Sequence, residues 1–448
     1  MTNNKNQSSL YSQLVQQLLP GLTVSFVAIS LGAAFGVLSG RGALAGILSA
    51  GVIALITAAF GGTRIQCSGP TAPMTAVTIL LVSAVGGGLL ADHPDVDPDR
   101  FINLVLLLTG AMLIVASLLR LGRFIKLIPK IVISGFMNGI ALLIWVGEFR
   151  SIFGIGGKTA YLGNVFVNLA IVLLTLSVIF TLPLLLRKVS DRLNSFFPAT
   201  LIAIVVVSTL SNLFGLDVQH VSLGGSIESL TDIKGMIVGQ LPTEWSLALL
   251  ILAAPFVVQL AMLAYLDTLL TSLVVDRKVE IMHGRQDPTK PNQELCAQGI
   301  ANAAVSVFGG IPGAQATIRS VLILNEGATM RLAGVLVGIF VLIEMLMFQD
   351  LISLIPQAVF SGVLLKVGYD VFDWMPVRQY ISQLLQPSPA QLPPVGHSGM
   401  ALIAGTALLT VLVNLSVAVI VFTIIFYLAR KFCGIEDIKT ESAMHDEG

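Results

Sequence analysis

The hydrophobic positions of this chain fall into long runs that alternate with shorter polar connections. Windows of about 20 apolar residues are long enough to cross a bilayer as helices, and about fourteen are predicted here. We place the spans at 18–39, 43–60, 71–91, 102–121, 129–149, 162–186, 197–215, 246–275, 294–309, 316–328, 330–350, 357–372, 398–412 and 414–432. The third and tenth are predicted to be half-helices, because an extended polar stretch precedes each of them. The pattern predicts an all-α polytopic membrane protein.

The two polar stretches resemble each other, although they lie far apart in the chain. The first, from Phe60 to Thr75, reads F-G-G-T-R-I-Q-C-S-G-P-T-A-P-M-T, and the second, from Phe308 to Ser320, reads F-G-G-I-P-G-A-Q-A-T-I-R-S. At membrane depth, backbone without internal hydrogen bonds is tolerated only where protein or water covers it. A matched pair of interrupted spans is therefore typical of a transporter whose substrate binds near the bilayer midplane. Two kinked helices packed through small residues are the structural alternative.

Composition places most of the chain in the lipid bilayer. Of its 448 residues, 55% are hydrophobic and 11% are charged, and the mean hydropathy is +0.89. Soluble domains carry roughly 25% charged residues. The formal net charge is zero, so no overall field indicates a nucleic-acid partner.

The charges of the connections predict how the chain is oriented. Lys and Arg cluster after even-numbered spans, whereas the connections after the third and seventh spans are acidic. By the positive-inside rule, both termini are cytoplasmic in a plasma or inner membrane. We expect a cytoplasmic N-terminal segment at 1–17, a transmembrane domain at 18–432 and a short acidic cytoplasmic tail at 433–448.

The transmembrane domain is predicted to be an inverted repeat of two halves, about 18–215 and 246–432. Seven spans per half is an odd number, so the second half enters the membrane inverted relative to the first. In that arrangement the N-termini of the two half-helices point at each other near the midplane.

Those N-termini form a candidate anion site. A helix N-terminus leaves unpaired N–H groups and a partial positive charge. The first half-helix is predicted to begin around Thr71, and the second around Ala316 or Thr317. Small residues such as Ala72 let an ion approach the main chain, and the two threonines add hydroxyl groups.

Arg319 lies on the first turn of the tenth span. A buried arginine in lipid is costly and is usually functional or paired. It is predicted either to supply a fixed positive charge for an anion or to form a structural salt bridge with Asp267 or Glu326.

Asp267, inside the eighth span, is a candidate cation ligand. Thr271 follows one helical turn later, and backbone carbonyls of Gln315, Ala316 and Thr317 can complete an oxygen-rich cage. Hard cations such as sodium prefer oxygen ligands. A proton carried by Asp267, or a structural pairing of its carboxylate with the arginine of the tenth span, are the alternatives. Two other intramembrane carboxylates, Glu148 and Glu344, are expected near span ends at the membrane interface.

Several motifs resemble the sulfate permease (SulP) family of anion transporters, over about 20–432. They are G-L-T-V-S-F-V-A-I-S-L-G-A-A-F-G-V-L-S-G in the first span, S-G-P-T-A-P-M-T in the third, G-G-I-P-G-A-Q-A-T-I-R-S in the tenth and V-L-L-K-V-G-Y-D-V-F-D-W at the exit of the twelfth. The resemblance implies a homodimer in which a core domain (spans 1–4 and 8–11) moves against a gate domain (spans 5–7 and 12–14), as in an elevator.

The Leu-Asp-x-Leu-Leu-Thr motif of the eighth span is most similar to the cyanobacterial sodium-dependent bicarbonate transporters of that family. The resemblance implies that Asp267 and Thr271 bind sodium together with backbone of 315–317, and that Thr71 contacts bicarbonate. The chain departs from the family in two ways. It stops before the C-terminal regulatory (STAS) domain, which we therefore expect to be absent, and Gln315 stands where we expect glycine.

These residues predict a secondary transporter of a small inorganic anion, with sodium-coupled bicarbonate symport as the first hypothesis. Sodium is the coupling ion, and no other metal or cofactor is expected. The alternatives are a proton-coupled sulfate, molybdate or dicarboxylate transporter, and an anion channel or non-transporting sensor. An enzyme is disfavoured, since the sequence contains no recognisable Ser/His/Asp or metal-binding constellation.

Overall fold

The computed structural model describes residues 16–127, 129–155, 161–189, 199–221, 235, 237–283, 287–385, 396–413, 415–433 and 437. Most of the predicted segment 1–17, much of the connection between the two halves, and the acidic tail apart from Cys433 and Asp437 lie outside these residues.

The described chain is mostly helical, as predicted. Its helices are α1 Leu18–Ser39, α2 Ala43–Phe60, α3 Ala72–Ala84, α4 Pro98–Leu118, α5 Lys130–Phe153, α6 Val165–Val189, α7 Ala199–Leu213, α8 Leu247–His283, α9 Pro291–Val307, α10 Thr317–Asn325, α11 Arg331–Ser353, α12 Gln357–Val371, α13 Trp374–Leu385, α14 His397–Leu412 and α15 Leu415–Cys433. A π-helical turn, Val85–Leu89, extends α3, and a 3-10 helix, Leu121–Leu127, follows α4.

The helix bounds follow the apolar windows because each window supplies the length that lipid requires. In the described part of the chain, eight helices are long and apolar enough to cross a membrane: α1, α2, α3 with its π-helical turn, α4, α5, α6, α8 and α11. The helices α7 and α14 are shorter but also apolar. The number of spans and the half-span lengths therefore stay predictions. The sequence did not predict α13.

Two three-residue strands interrupt the helical pattern, β1 Ser68–Pro70 and β2 Gly313–Gln315. The sequence predicts extended backbone at both places but not its pairing. The strands form a two-stranded antiparallel sheet, which is the exception to the all-α class.

The chain divides into two compact units, 1–123 with 150–363, and 124–149 with 364–448. In the second unit, Trp145 stacks on Phe372 with ring centroids 5.7 Å apart. Lys366 and Asp370 form the ion pair that their i,i+4 spacing indicates, at 2.6 Å. The grouping into core and gate domains stays a prediction.

Close glycine packing joins helices of the two predicted halves within the first unit. A Cβ atom at Gly338 of α11 would lie 2.7 Å from the carbonyl oxygen of Gly51 in α2. A Cβ atom at Gly110 of α4 would lie 2.5 Å from the carbonyl oxygen of Gly299 in α9. Both distances are shorter than a side chain tolerates, so these backbones approach closely because the residues are glycine. The two polar interruptions lie among these helices.

Candidate functional site

The two polar interruptions meet as one short ribbon. The paired residues are Ser68 with Gln315, Gly69 with Ala314, and Pro70 with Gly313. All six are fully buried. At Gly313 a Cβ atom would collide with the carbonyl group of Gly69, so the strands approach this closely only without a side chain there. Pairing satisfies backbone groups that would otherwise be unpaired in a buried, non-helical segment.

A helix begins two residues after the end of each strand. Thr71 and Ala316 are the extended N-cap residues of α3 and α10, and neither cap makes a side-chain hydrogen bond. Because the strands are antiparallel, the two helices begin beyond opposite ends of the same ribbon. Their N-cap residues are four residue steps apart along it, which is roughly 13 Å at about 3.3 Å per residue. The first-turn N–H groups of both helices have no intrahelical acceptor. Two positive helix ends therefore lie beside one ribbon.

Arg319, on the first turn of α10, reaches across to the other interruption. Its side chain is 1% exposed, and Nη2 donates a hydrogen bond of 2.8 Å to the carbonyl oxygen of Pro70. A Cβ atom at Gly69 would lie 2.8 Å from Nη1, so this glycine leaves space for the guanidinium group. Within the described residues, Nε and Nη1 have no hydrogen-bond partner.

The salt bridge offered as the alternative role of Arg319 is not formed. Among the described residues, neither Asp267 nor Glu326 makes an ion pair with it. A buried guanidinium with two unpartnered nitrogens is costly unless an acceptor arrives.

Two acceptor-bearing side chains lie near this arginine. The Asp267 carboxylate on α8 lies close to the Thr71 hydroxyl and within electrostatic range of the Arg319 guanidinium. The Oδ2 atom of Asp267 and the Oγ1 atom of Thr71 are buried and have no hydrogen-bond partner in the described part of the chain. The oxygens predicted for the anion site and for the cation site are therefore close together, and both can still bind a ligand.

The face of α8 that carries Asp267 contacts β2 and the start of α10. The hydroxyl oxygens of Thr271 and Thr317 are 2.6 Å apart. The N–H of Gln315 donates to the Thr268 hydroxyl at 3.3 Å. The structure therefore brings together the residues predicted from both segments, and it adds Thr268, which the sequence analysis missed although it lies on the same helical face as Thr271.

Gln315 is buried beside this cluster. Its Oε1 accepts a hydrogen bond of 3.4 Å from the Thr63 hydroxyl, and its Nε2 has no partner among the described residues. Where glycine was expected, the chain therefore adds a buried amide donor.

A polar network on α9 holds the interruptions, and sequence reasoning missed it. The Glu294 carboxylate is fully buried. Its Oε2 accepts from the Thr63 N–H at 2.8 Å and from Gln66 Nε2 at 2.9 Å, and its Oε1 accepts from Gln298 Nε2 at 3.2 Å. Gln298 also donates to the Ser68 hydroxyl at 2.7 Å. One carboxylate thereby fixes the loop that leads into β1.

The same helix fixes β2 through Asn302. Its Nδ2 donates to the carbonyl of Gly313 and its Oδ1 accepts from the N–H of Gly313, both at 2.9 Å. Glu294, Gln298 and Asn302 are four residues apart, so they share one face of α9. That polar stripe in a predicted span is the signal that would have identified the network.

The chain is similar to known membrane transporters. A family model described as the sulfate permease family matches residues 14–384. The bicarbonate transporter BicA of Picosynechococcus sp. is 30% identical over 414 residues, which are 89% of this chain and 67% of that protein. The bicarbonate transporter BicA of Synechocystis sp. is 31% identical over 384 residues, 81% of this chain and 62% of that protein. The chain thus spans about two thirds of the length of these relatives.

A solved structure has the same fold. The transmembrane domain of a cyanobacterial bicarbonate transporter BicA superposes with a TM-score of 0.73 and 29% sequence identity. The match covers 92% of this chain and 98% of that domain.

Proposed function

The chain belongs to the sulfate permease family, and we propose that it is a secondary active transporter of a small inorganic anion, with sodium-coupled bicarbonate symport as its activity. Membership of a transporter family also argues against an enzyme. The observation that carries the proposal is the buried Arg319 guanidinium, whose Nε and Nη1 lack partners among the described residues and lie beside two helix N-termini.

The anion would bind between the first turns of α3 and α10. Unpaired N–H groups and helix dipoles favour negative charge there. Guanidinium nitrogens donate strong, charge-assisted hydrogen bonds to oxyanions, and Nε and Nη1 of Arg319 are the two that have no partner among the described residues. The Thr71 and Thr317 hydroxyls, the backbone at Ala72 and the amide donor of Gln315 would supply further hydrogen bonds.

Sodium would bind beside the anion, at Asp267. The orphaned Oδ2 of Asp267 and the paired hydroxyls of Thr271 and Thr317 are the oxygen ligands that a hard cation prefers. Backbone carbonyls of 315–317 would complete the coordination. Two like charges about 4 Å apart repel by roughly 4 kcal/mol at an effective dielectric constant near 20. A cation on Asp267 offsets that repulsion, so anion and sodium would bind together.

The same proposal covers the membrane arrangement. We propose fourteen spans in two inverted sevens, with α3 and α10 as half-spans and both termini cytoplasmic. The equal spacing from strand to helix in the two interruptions supports the repeat. A core domain that contains the site would move against a gate domain in a homodimer.

Bicarbonate is proposed because two relatives at about 30% identity are bicarbonate transporters. The description of the family itself names sulfate, which is the substrate of the second candidate, and we propose protons as the coupling ion for it. For that candidate, Asp267 would bind a proton instead of sodium.

Uptake into proteoliposomes distinguishes the candidates. Purified protein is reconstituted and supplied with labelled bicarbonate or labelled sulfate, each with a sodium gradient, a proton gradient or neither. We expect bicarbonate uptake that an inward sodium gradient drives. Sulfate uptake driven by protons alone would reject sodium symport in favour of the second candidate. Flux far above carrier turnover without any cation requirement would indicate a channel.

A further inference from the structure

An apolar cavity of about 610 Å³ lies in the first unit, apart from the candidate anion site. Helices α1, α7 and α11 supply most of its walls, and we call it the Glu344 cavity. Residues that line it include Phe26, Ile29, Ala33, Ile204, Phe348 and Glu344. Small-molecule sites typically have volumes of roughly 300–1,000 Å³, so its size suits a small organic ligand.

One carboxylate lines this apolar space. Glu344 is 6% exposed and lies in the middle of α11, not near its end as expected. Its Oε1 accepts a hydrogen bond of 2.5 Å from the Ser25 hydroxyl. Its Oε2 is buried and has no partner among the described residues.

In the part of the chain that the structure describes, no other charged residue lines the cavity. The neighbouring helices α1, α2 and α7 contain no Asp, Glu, Lys, Arg or His within their bounds. On α11 itself, Arg331 lies at the first residue and Asp350 lies near the other end. A buried carboxylate without a cation is strongly disfavoured. Since no charged side chain lining the cavity can pair with the ionised group, a cationic partner would have to come from a ligand that enters the cavity.

We propose that the Glu344 cavity is a binding site for an apolar molecule that carries one protonated amine. The ammonium group donates to Oε2 of Glu344, and the apolar body packs against the aromatic and aliphatic walls. A bare metal cation fits less well, because it needs several oxygen ligands and these walls are mostly hydrocarbon. A neutral apolar molecule leaves Oε2 unpaired.

This site is independent of the proposed transport function. Neither Asp267 nor Arg319 lines the cavity, and binding is measured without transport.

The test uses the full chain in lipid nanodiscs, titrated with dansylcadaverine, a fluorescent apolar ring system with a primary amine. Its N-acetylated form has almost the same shape without the charge. We expect the wild type to bind the amine at least about tenfold more tightly than the acetylated probe, since a charge-assisted hydrogen bond is worth at least that factor. Empty nanodiscs give the background from partitioning into lipid.

Two carboxylate variants test whether the preference for the amine depends on Glu344. Glu344→Gln keeps the side-chain shape and an acceptor for Ser25, and we expect it to abolish the preference for the amine. Glu148→Gln is the matched control, because Glu148 is also buried in an apolar helix, α5, and does not line the cavity. That variant should keep the full preference.

A third variant, Ser208→Phe, fills the cavity without changing the carboxylate, and it should weaken binding of both probes. It serves as the test if Glu344→Gln does not fold, as judged by size-exclusion chromatography. Equal binding of the two probes to the wild type would overturn the proposal. Unchanged amine binding in Glu344→Gln, or in Ser208→Phe when that variant is the test, would overturn it as well.

Discussion

Replacing Arg319 with methionine separates a ligand-binding role from a structural one. The wild-type guanidinium is buried with two nitrogens that have no partner among the described residues, and it donates one hydrogen bond to Pro70. An unsatisfied buried polar group costs about 1–3 kcal/mol, so removal of two relieves about 2–6 kcal/mol. Loss of the bond to Pro70 costs about 1–3 kcal/mol. Methionine has a similar length and no polar group, so the unliganded variant should be as stable as the wild type or more stable.

Transport should respond in the opposite direction. Two charge-assisted hydrogen bonds to a bound anion are worth about 1.5–3 kcal/mol each. Their loss corresponds to roughly a hundredfold to ten-thousandfold decrease in kcat/KM for anion uptake. Bicarbonate should also raise the Tm of the wild type, since a ligand that binds only the folded state stabilises it, and it should not raise the Tm of the variant.

The assays are scanning fluorimetry of the purified protein with and without bicarbonate, and initial uptake rates in proteoliposomes. Arg331→Met is the control, because Nη1 of Arg331 donates to the carbonyls of Ala58, Gly61 and Thr63. That variant should lower the Tm. If Arg319→Met also lowers the Tm while its half-saturation for the anion stays unchanged, Arg319 is a structural residue and the reasoning is refuted.

Three further substitutions test the remaining parts of the site. Asp267→Asn should abolish sodium-stimulated uptake while expression stays intact. The control, Asp276→Asn on the same helix, should keep the stimulation. Sodium dependence that persists in Asp267→Asn would reject the coupling role. Thr71→Val should raise the half-saturation for the anion about tenfold, as expected for one lost hydrogen bond to an ion, and an unchanged value would remove this hydroxyl from the site. Glu294→Gln should destabilise the protein by about 2–5 kcal/mol, because an amide nitrogen replaces one of the two oxygens that accept hydrogen bonds. The control is Glu326→Gln, since Glu326 is a half-buried carboxylate outside the network. Equal Tm values for the two variants would contradict the role given to α9.

Much of the fold follows from hydropathy alone. Lipid offers no partner to backbone N–H and C=O groups, so apolar windows must become helices of a length that the bilayer sets. The bounds of α1 and α2 accordingly coincide with the predicted windows. The Gly/Pro-rich stretches were identifiable as breaks for the converse reason, because polar segments that disfavour helix stand out in an apolar sequence.

The candidate site was only partly predictable. Asp267 and Thr271 are one helical turn apart, so local periodicity relates them. Their proximity to 315–317 was proposed from the oxygen ligands that a cation needs and from a resemblance, and the structure brings these residues together. The polar stripe of α9 was visible in the sequence as a polar face in a predicted span, but its partners in the two interruptions come only from the tertiary structure.

What the sequence determined by itself is therefore most of the helices, their breaks and the residues with unusual chemistry for lipid. Tertiary structure alone decided that Ser68 lies opposite Gln315, that Arg319 reaches Pro70 and is not paired with Asp267, and that Glu344 is buried in an apolar cavity. The physical reason is the distance along the chain over which each interaction acts. Helix formation depends on neighbours within a few residues and on the surrounding lipid, whereas the partner of a buried charge or of a strand edge comes from whichever distant segment the packing brings beside it.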